Sequence, residues 1–396
     1  MDTKAFYYLK PELDRLDAGL LAVEGDPASP SLVLDGSIFF PEGGGQPCDL
    51  GSIAGVPLVS VTQEEGRVLH RLGAPLPEGL APGDRLPLVL DAARRLDHSE
   101  QHTGQHLVSA TLLRLYEAPT KSFHLGTERC TIDVDRPSLS ADELAMAEEA
   151  INAAIFEDYR IVTHLCPPED IASFPLRRVP PTDEAVVRVV EIDGLDFTPC
   201  CGTHLRSTGA LRLVLLLGAE KYKGMTRVQF LAGGRAVRHA RGAVGAVRDV
   251  ARALGVGPET LAAEAERQAE RLKNALAEVR GLLRERAAAE AEHLLAESGA
   301  GGPLVLRFDD RDAEAAVEAV KALAERGATA LAASMPGLTV VAASNSPEAG
   351  LGRRLKPVSD ALGGKGGGGP AFFRSTFDSP AAIGEFLEKA AEILRN

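Results

Sequence analysis

His102-Thr103-Gly104-Gln105-His106-Leu107-Val108-Ser109-Ala110 and Pro199-Cys200-Cys201-Gly202-Thr203-His204 are the two stretches that decide the fold. In the first, Leu107, Val108, Ala110, Leu112 and Leu113 continue a helical pattern, and a spacing of four puts both imidazoles on one face of that helix. In the second, Cys200 and His204 are again four apart, but Pro199 and Gly202 make the segment a tight loop. Three imidazoles and one thiolate suit a tetrahedral divalent zinc. For one ion to take all four, a helix and a loop distant in sequence must meet. With strands read on either side of the loop, that meeting implies an α+β fold.

Each pair also has a plainer reading. A histidine pair on an amphipathic helix is common, and a core histidine satisfied by a backbone carbonyl is the ordinary case. His98, four residues before His102, is the best candidate for that role or for supporting a metal ligand. Cys201 competes with Cys200 as the thiolate, and the spacing to His204 favours Cys200. The first stretch also resembles the His-Glu-x-x-His of zinc peptidases. Thr103 stands at the glutamate position, so a peptidase would lack its general base.

The 396 residues, 45% of them hydrophobic, suffice for several domains with ordinary cores. No apolar run reaches the roughly 18 to 20 residues that span a bilayer. The opening Met1-Asp2-Thr3-Lys4-Ala5-Phe6 lacks the charged-then-apolar layout of a signal peptide. Cytoplasmic residence is the expectation. The cysteines are too few and too unevenly placed for a disulfide framework, which agrees with reducing surroundings. A net charge of −13 argues against indiscriminate nucleic-acid binding, because phosphate is repelled at long range, but it leaves room for a local basic face. Candidate clusters are Arg94 with Arg95, Arg177 with Arg178, Lys221 with Lys223 and Arg227, and Arg353, Arg354 and Lys356. Each also reads as ordinary solvated surface.

Along the chain, residues 1–90 read as a small β-barrel, with strands at Leu32 to Leu34, Ile38 to Phe40, Leu58 to Val61 and Leu86 to Leu90. Within it, Phe39-Phe40-Pro41-Glu42-Gly43-Gly44-Gly45-Gln46-Pro47 is a glycine run that lets the backbone approach a ligand or a neighbouring element. Residues 91–234 read as the metal-bearing α+β domain: the histidine helix, a strand near Cys130 to Val134, a helix from Ala141 to Phe156 capped by Ser140 and Glu143, and three later strands. Residues 235–297 are almost unbroken helix, interrupted around Gly255 to Pro258. Ala265, Ala269, Leu272, Leu276, Val279 and Leu283 form a heptad seam there that leaves an antiparallel hairpin and a homodimer stalk both open. Residues 298–396 read as a C-terminal α/β unit ending in a helix from Pro380. Before that helix stands Gly363-Gly364-Lys365-Gly366-Gly367-Gly368-Gly369-Pro370, which reads as a mobile linker or as backbone amides offered to phosphate.

Taken in order, the histidine stretch, Lys121-Ser122-Phe123-His124-Leu125-Gly126 and the cysteine loop followed by Arg206-Ser207-Thr208-Gly209 resemble the editing domain of alanyl-tRNA synthetase and the free-standing AlaX-type trans-editing proteins. The Phe39 to Pro47 run is similar to the glycine motif of the barrel that precedes that domain. The helical stalk and glycine-rich terminal unit look like the synthetase's C-terminal domain, and so like the long form of AlaX. There the pattern departs, because Pro370-Ala371-Phe372-Phe373 follows the glycines where the family has an arginine and a short polar stretch. The departure makes dimerisation the better supported role of that unit, ahead of tRNA contact. With only about 90 residues before the histidine helix, the chain is expected to lack an aminoacylation module.

The resemblance implies a zinc-dependent aminoacyl-tRNA hydrolase that removes serine or glycine from mischarged tRNA(Ala), with His102, His106, Cys200 and His204 as metal ligands. A synthetase site for alanine discriminates poorly against such small side chains, and a second hydrolytic site removes the error. Ser122 occupies the region where the family keeps a polar residue facing the aminoacyl group, Gln46 is a second candidate for shaping that pocket, and Thr103 is a third polar residue at the site. The plain alternatives are a strand hydroxyl for Ser122 and a helix residue bonded back to a carbonyl for Thr103. For the whole chain they are a zinc hydrolase of small esters or amides, and a tRNA- or synthetase-binding module with structural zinc.

Overall fold

The computed structural model describes residues 3–177, 186–297 and 302–395, so Arg178 lies outside the described residues. The fold is a mixed α+β one, as expected. The chain divides into two compact units, Met1–Asp249 and Val250–Asn396.

The first unit opens with a closed six-stranded barrel of β1 (Arg15–Glu24), β2 (Ser31–Leu34), β3 (Gly51–Ile53), β4 (Val56–Glu64), β5 (Arg67–Leu72) and β6 (Arg85–Leu90), in the order β1-β2-β5-β4-β3-β6. Period-two alternation drives it: Val68, His70 and Leu72 on β5 and Leu86, Leu88 and Leu90 on β6 point into the core. Ile38 to Phe40, read as a strand, is instead a buried loop. Side chains hold its backbone where a ladder would have done: Phe40 N–H donates to Asp49 Oδ2 (2.6 Å), and Arg95 donates to Ile38 O (2.7 Å) and to Asp49. Arg95, read as one of a surface pair, is therefore a buried strut.

Next comes α1 (Ala92–Tyr116), whose N-cap Asp91 accepts from Arg94 N–H. It lies on a sheet ordered β12-β13-β8-β7, formed by β7 (Thr120–Leu125), β8 (Cys130–Val134), β12 (Val214–Tyr222) and β13 (Met225–Ala232). Gly104 permits this packing, since a Cβ there would press against Ala232. Helix α2 (Ala141–Phe156) carries the Ser140–Glu143 capping box read from the sequence. A three-stranded sheet of β9 (Ile161–Cys166), β10 (Val187–Ile192) and β11 (Asp196–Pro199) ends at the cysteine loop. Helix α3 (Gly233–Ala253) follows β13 directly.

In the second unit, α4 (Leu261–Glu297) packs Ala287 and Ala291 with α5 (Ala313–Glu325), while Leu272, Leu276 and Val279 of the heptad seam are exposed. The sheet is ordered β14-β15-β16-β18-β17, from β14 (Leu304–Phe308), β15 (Ala330–Ser334), β16 (Thr339–Ala343), β17 (Lys365–Gly368) and β18 (Phe372–Thr376), with α6 (Leu351–Ala361) and α7 (Pro380–Arg395) packed against it. One reading is corrected here and one helix is added. The glycine run, read as a mobile linker or as backbone amides offered to phosphate, is no linker: it forms edge strand β17, paired antiparallel with β18. Side chains at Gly366 and Gly368 would collide with the backbone of β18, and one at Gly352 of α6 with Gly368, so glycine is what lets these backbones touch. Helix α6 went unread because Pro357 lies inside it. No helix among the described residues is long and apolar enough to cross a membrane.

Candidate metal centre

Helix α1 is buried almost continuously from His98 to Ser109 although most of those residues are polar. Such a run is stable only where each polar group finds a partner. His102 and His106 sit in it, each 2% exposed, and face the loop after β11. The loop presents Cys200 Sγ at 3.3 Å from His102 Nε2 and 3.3 Å from His204 Nε2. The ligand atoms of all four residues lie within 4.8 Å of one another and could hold a metal ion. Nitrogen and sulfur donors on one tetrahedral cation with bonds near 2.0 and 2.3 Å stand about 3.5 Å apart, so the set fits. Gly202 makes the approach possible, because a Cβ there would collide with the His102 ring. Cys200, not Cys201, joins the cluster; Cys201 is exposed.

The opposite nitrogen of each ring has its own neighbour. His102 Nδ1 lies 2.9 Å from Gln46 Oε1, His204 Nδ1 3.2 Å from Thr103 Oγ1, and His106 Nδ1 3.3 Å from Asp196 Oδ2. Acceptors on Nδ1 fix the tautomer that leaves Nε2 bare for a cation, an arrangement typical of metal-bound histidine. Gln46 and Thr103 thus stand behind the donors. Gln46 also accepts from Thr203 N–H (3.0 Å), and Thr103 Oγ1 from Leu205 N–H (3.1 Å), so both tie the cysteine loop down. His98 stays outside the donor set.

Electrostatics favour a cation. Burial alone would raise the Cys200 thiol, but the three imidazoles carry it well below the usual thiol range. Burial raises the Asp196 carboxyl too, yet His106 and the Arg177 guanidinium (Nε to Oδ1, 2.8 Å) bring it below its ordinary value. Burial pushes His204 down to about 3, so it is a neutral ring. Burial opposes charge on His106, yet the Cys200 thiolate and the Asp196 carboxylate carry its ring above the ordinary imidazole value, so the thiolate here draws positive charge toward itself, as it would draw a cation.

A cleft of about 610 Å³ opens beside the donors, lined by His102, His106, Cys200, Gln105, Ser122 and Arg177 among others. Ser122 is on its wall, with its hydroxyl proton donated to Asp133 Oδ2 (2.6 Å) and its lone pairs left to accept. Arg227 in turn donates to both Asp133 oxygens (2.7 and 2.9 Å). The sequence reading missed Asp196, Gln105 and Arg188, whose guanidinium donates to Cys200 O and Gly202 O (2.7 and 2.8 Å) and holds the loop's shape. Asp196 carried one usable signal, a carboxylate four residues before Cys200.

Residues 187–229 match the threonyl and alanyl tRNA synthetase second additional domain. The chain is 30% identical over 408 residues to the alanyl-tRNA editing protein AlaX-L of Pyrococcus horikoshii, an alignment covering 98% of each protein. The chain belongs to the alanyl-tRNA editing proteins. The family's members are aminoacyl-tRNA deacylases, so the chain is a hydrolase. Among its other relatives, the alanyl-tRNA editing protein Aarsd1 of Rattus norvegicus is 31% identical over 72% of this chain and 68% of its own length. Aarsd1-B of Xenopus laevis is 34% identical, with the match spanning about half (55%) of that protein. The alanine–tRNA ligase of Methanothrix thermoacetophila is 30% identical over 93% of this chain and 42% of the ligase.

Proposed function

We propose that the chain hydrolyses mischarged tRNA(Ala) in trans, in the cytoplasm, releasing serine or glycine, with zinc held by His102, His106, Cys200 and His204. The convergence of these four donors on the wall of a cleft carries the reading. Zinc is preferred because an imidazole–thiolate set in a tetrahedral spacing suits it better than harder cations. Bound there, it supplies positive charge that holds and polarises the aminoacyl end.

The chain's own residues do the rest. Ser122, with its proton committed to Asp133, accepts a hydrogen bond from the aminoacyl ammonium or from a serine hydroxyl. A hydroxyl bonded in this way favours serine over alanine, because a site built around such a bond penalises the substrate that cannot make it. Gln46, Thr103 and Asp196 hold the three imidazoles in place. Among the described residues lining the cleft there is neither a carboxylate nor a histidine outside the donor set, so the ribose hydroxyl next to the ester is left to help water attack. The stalk and terminal unit, residues 235–297 and 298–396, are read as accessory, serving homodimerisation first.

One observation favours a second reading. Four protein donors make a closed set, as structural zinc sites have. The test is release of serine, glycine and alanine from tRNA(Ala) charged with each, with and without a chelator. Fast loss of serine or glycine with alanine spared, blocked by the chelator, supports editing at this site. No acceleration for any of the three transfers the case to a binding module.

A further inference from the structure

A second cavity, of about 600 Å³, adjoins the N-terminal half of α1 and is walled by Arg94, Arg212, Arg235 and Arg238 with Asp97 and Glu100. Four guanidinium groups against two carboxylates leave an excess of two positive charges, in a chain whose net charge is −13. The pairing is also uneven. Asp97 is taken by Arg235 (Nε to Oδ1, 2.8 Å), and Glu100 by Arg212 and by Gly234 N–H (2.8 Å), at the start of α3. Arg94 spends only its Nε, on Cys48 O (3.1 Å), and Arg238 is exposed with no hydrogen bond or ion pair among the described residues. The two surplus charges are therefore two open guanidinium forks. Arg212 is held in place at a φ of 65°, a backbone conformation that costs a non-glycine residue free energy and recurs at ligand sites.

The cavity and the donor cleft share their walls. On α1, residues up to Glu100 line the cavity and residues from His102 line the cleft. On β7 and beyond, Lys121 to Phe123 face the cleft and Leu125 to Thr127 the cavity. Four residues of strand cover about 13 Å, short enough for one extended polyanion to occupy both.

We propose that this arginine-walled cavity holds a backbone phosphodiester of the same strand whose aminoacylated 3′ end enters the donor cleft, with Arg94 and Arg238 as its ligands. Planar guanidinium forks suit phosphate oxygens, and a local positive pocket lets an acidic protein take a nucleic acid at one place only. The site rests on the proposed editing function for the identity of its strand.

The test uses the full chain and the double variant Arg94→Gln/Arg238→Gln, checked for unchanged bound metal. Binding of uncharged tRNA(Ala) transcript is followed by fluorescence anisotropy between 50 and 200 mM salt, and deacylation of seryl-tRNA(Ala) by steady-state kinetics. The expected result is a Kd about tenfold higher, a log–log salt slope shallower by about 0.7 to 0.9, as one phosphate contact contributes, and a rise in KM with kcat held within about threefold. An unchanged Kd and slope would overturn the proposal. So would displacement of the transcript from the native protein by 10 mM inorganic phosphate at constant ionic strength, which would mark a site for free anions. The two readings fail separately. A native protein that leaves seryl-tRNA(Ala) intact, while the double variant still loses affinity for the transcript, defeats the editing function and keeps the subsite. Editing by the native protein with undiminished binding by the variant does the reverse.

Discussion

At the residue scale, the four donors were legible because histidine and cysteine spacing survives in one dimension. What supports them was not. Asp196 stands 90 positions from His106, and only the folded chain brings its carboxylate to 3.3 Å from Nδ1. Replacing it, Asp196→Asn, is expected to lower metal affinity by about 10- to 100-fold while the protein stays folded. Competition with a chromophoric chelator measures this, and unchanged affinity would reduce Asp196 to a partner for Arg177. Removing a donor, His106→Ala, is expected to abolish metal retention and deacylation together, read by metal analysis of the purified protein and the release assay. Full activity without metal would defeat the zinc proposal. His70 gives a prediction with a sign. Its Nδ1–H donates to Leu32 O (3.1 Å) and its Nε2 accepts from Ser37 Oγ (2.7 Å), so the ring is built in neutral, and burial pushes it down to about 4. The unfolded chain binds that proton near 6.5, so stability is full above 6.5 and declines as pH falls toward 4. By pH 4.5 the loss is about 2.5 kcal/mol from this residue. Urea melts of native protein and His70→Gln at pH 7 and 4.5 isolate it, since only the native protein carries this part of the slope.

At the element scale, periodicity and caps were read well where one face is buried and the ends are marked. The helix Ala141–Phe156 and the strand Cys130–Val134 have the bounds that the sequence suggested. Reading failed where tertiary contact overrides local preference. Ile38 to Phe40 has the composition of a strand but is held by Asp49 and Arg95, and the glycines of β17 form a strand despite poor strand propensity because larger residues would not fit. A paired substitution tests that account. Gly366→Ala should destabilise the second unit by about 2 kcal/mol or more, whereas Gly367→Ala, with open space around its Cβ, should stay within about 0.5 kcal/mol. Denaturant midpoints of the two variants decide it; equal effects would mean that strand propensity, not contact, sets the requirement.

At the scale of the whole molecule, every donor and every residue lining the donor cleft lies in the unit Met1–Asp249. A fragment ending at Ala253, the last residue of α3, should therefore bind one metal ion and hydrolyse a minimal seryl ester at a rate within about threefold of the full chain. Loss of metal from a folded fragment would show that the second unit completes the site. The barrel is not optional in the same way. Gln46, on its glycine loop, is the neighbour of His102 Nδ1, so a metal domain defined by its donors alone is one amide short. Transplanting residues 91–234 into a foreign scaffold would carry all four ligands and leave one imidazole free to swivel. The recipient would have to furnish an acceptor of its own, and the smallest portable form of this centre begins inside the barrel.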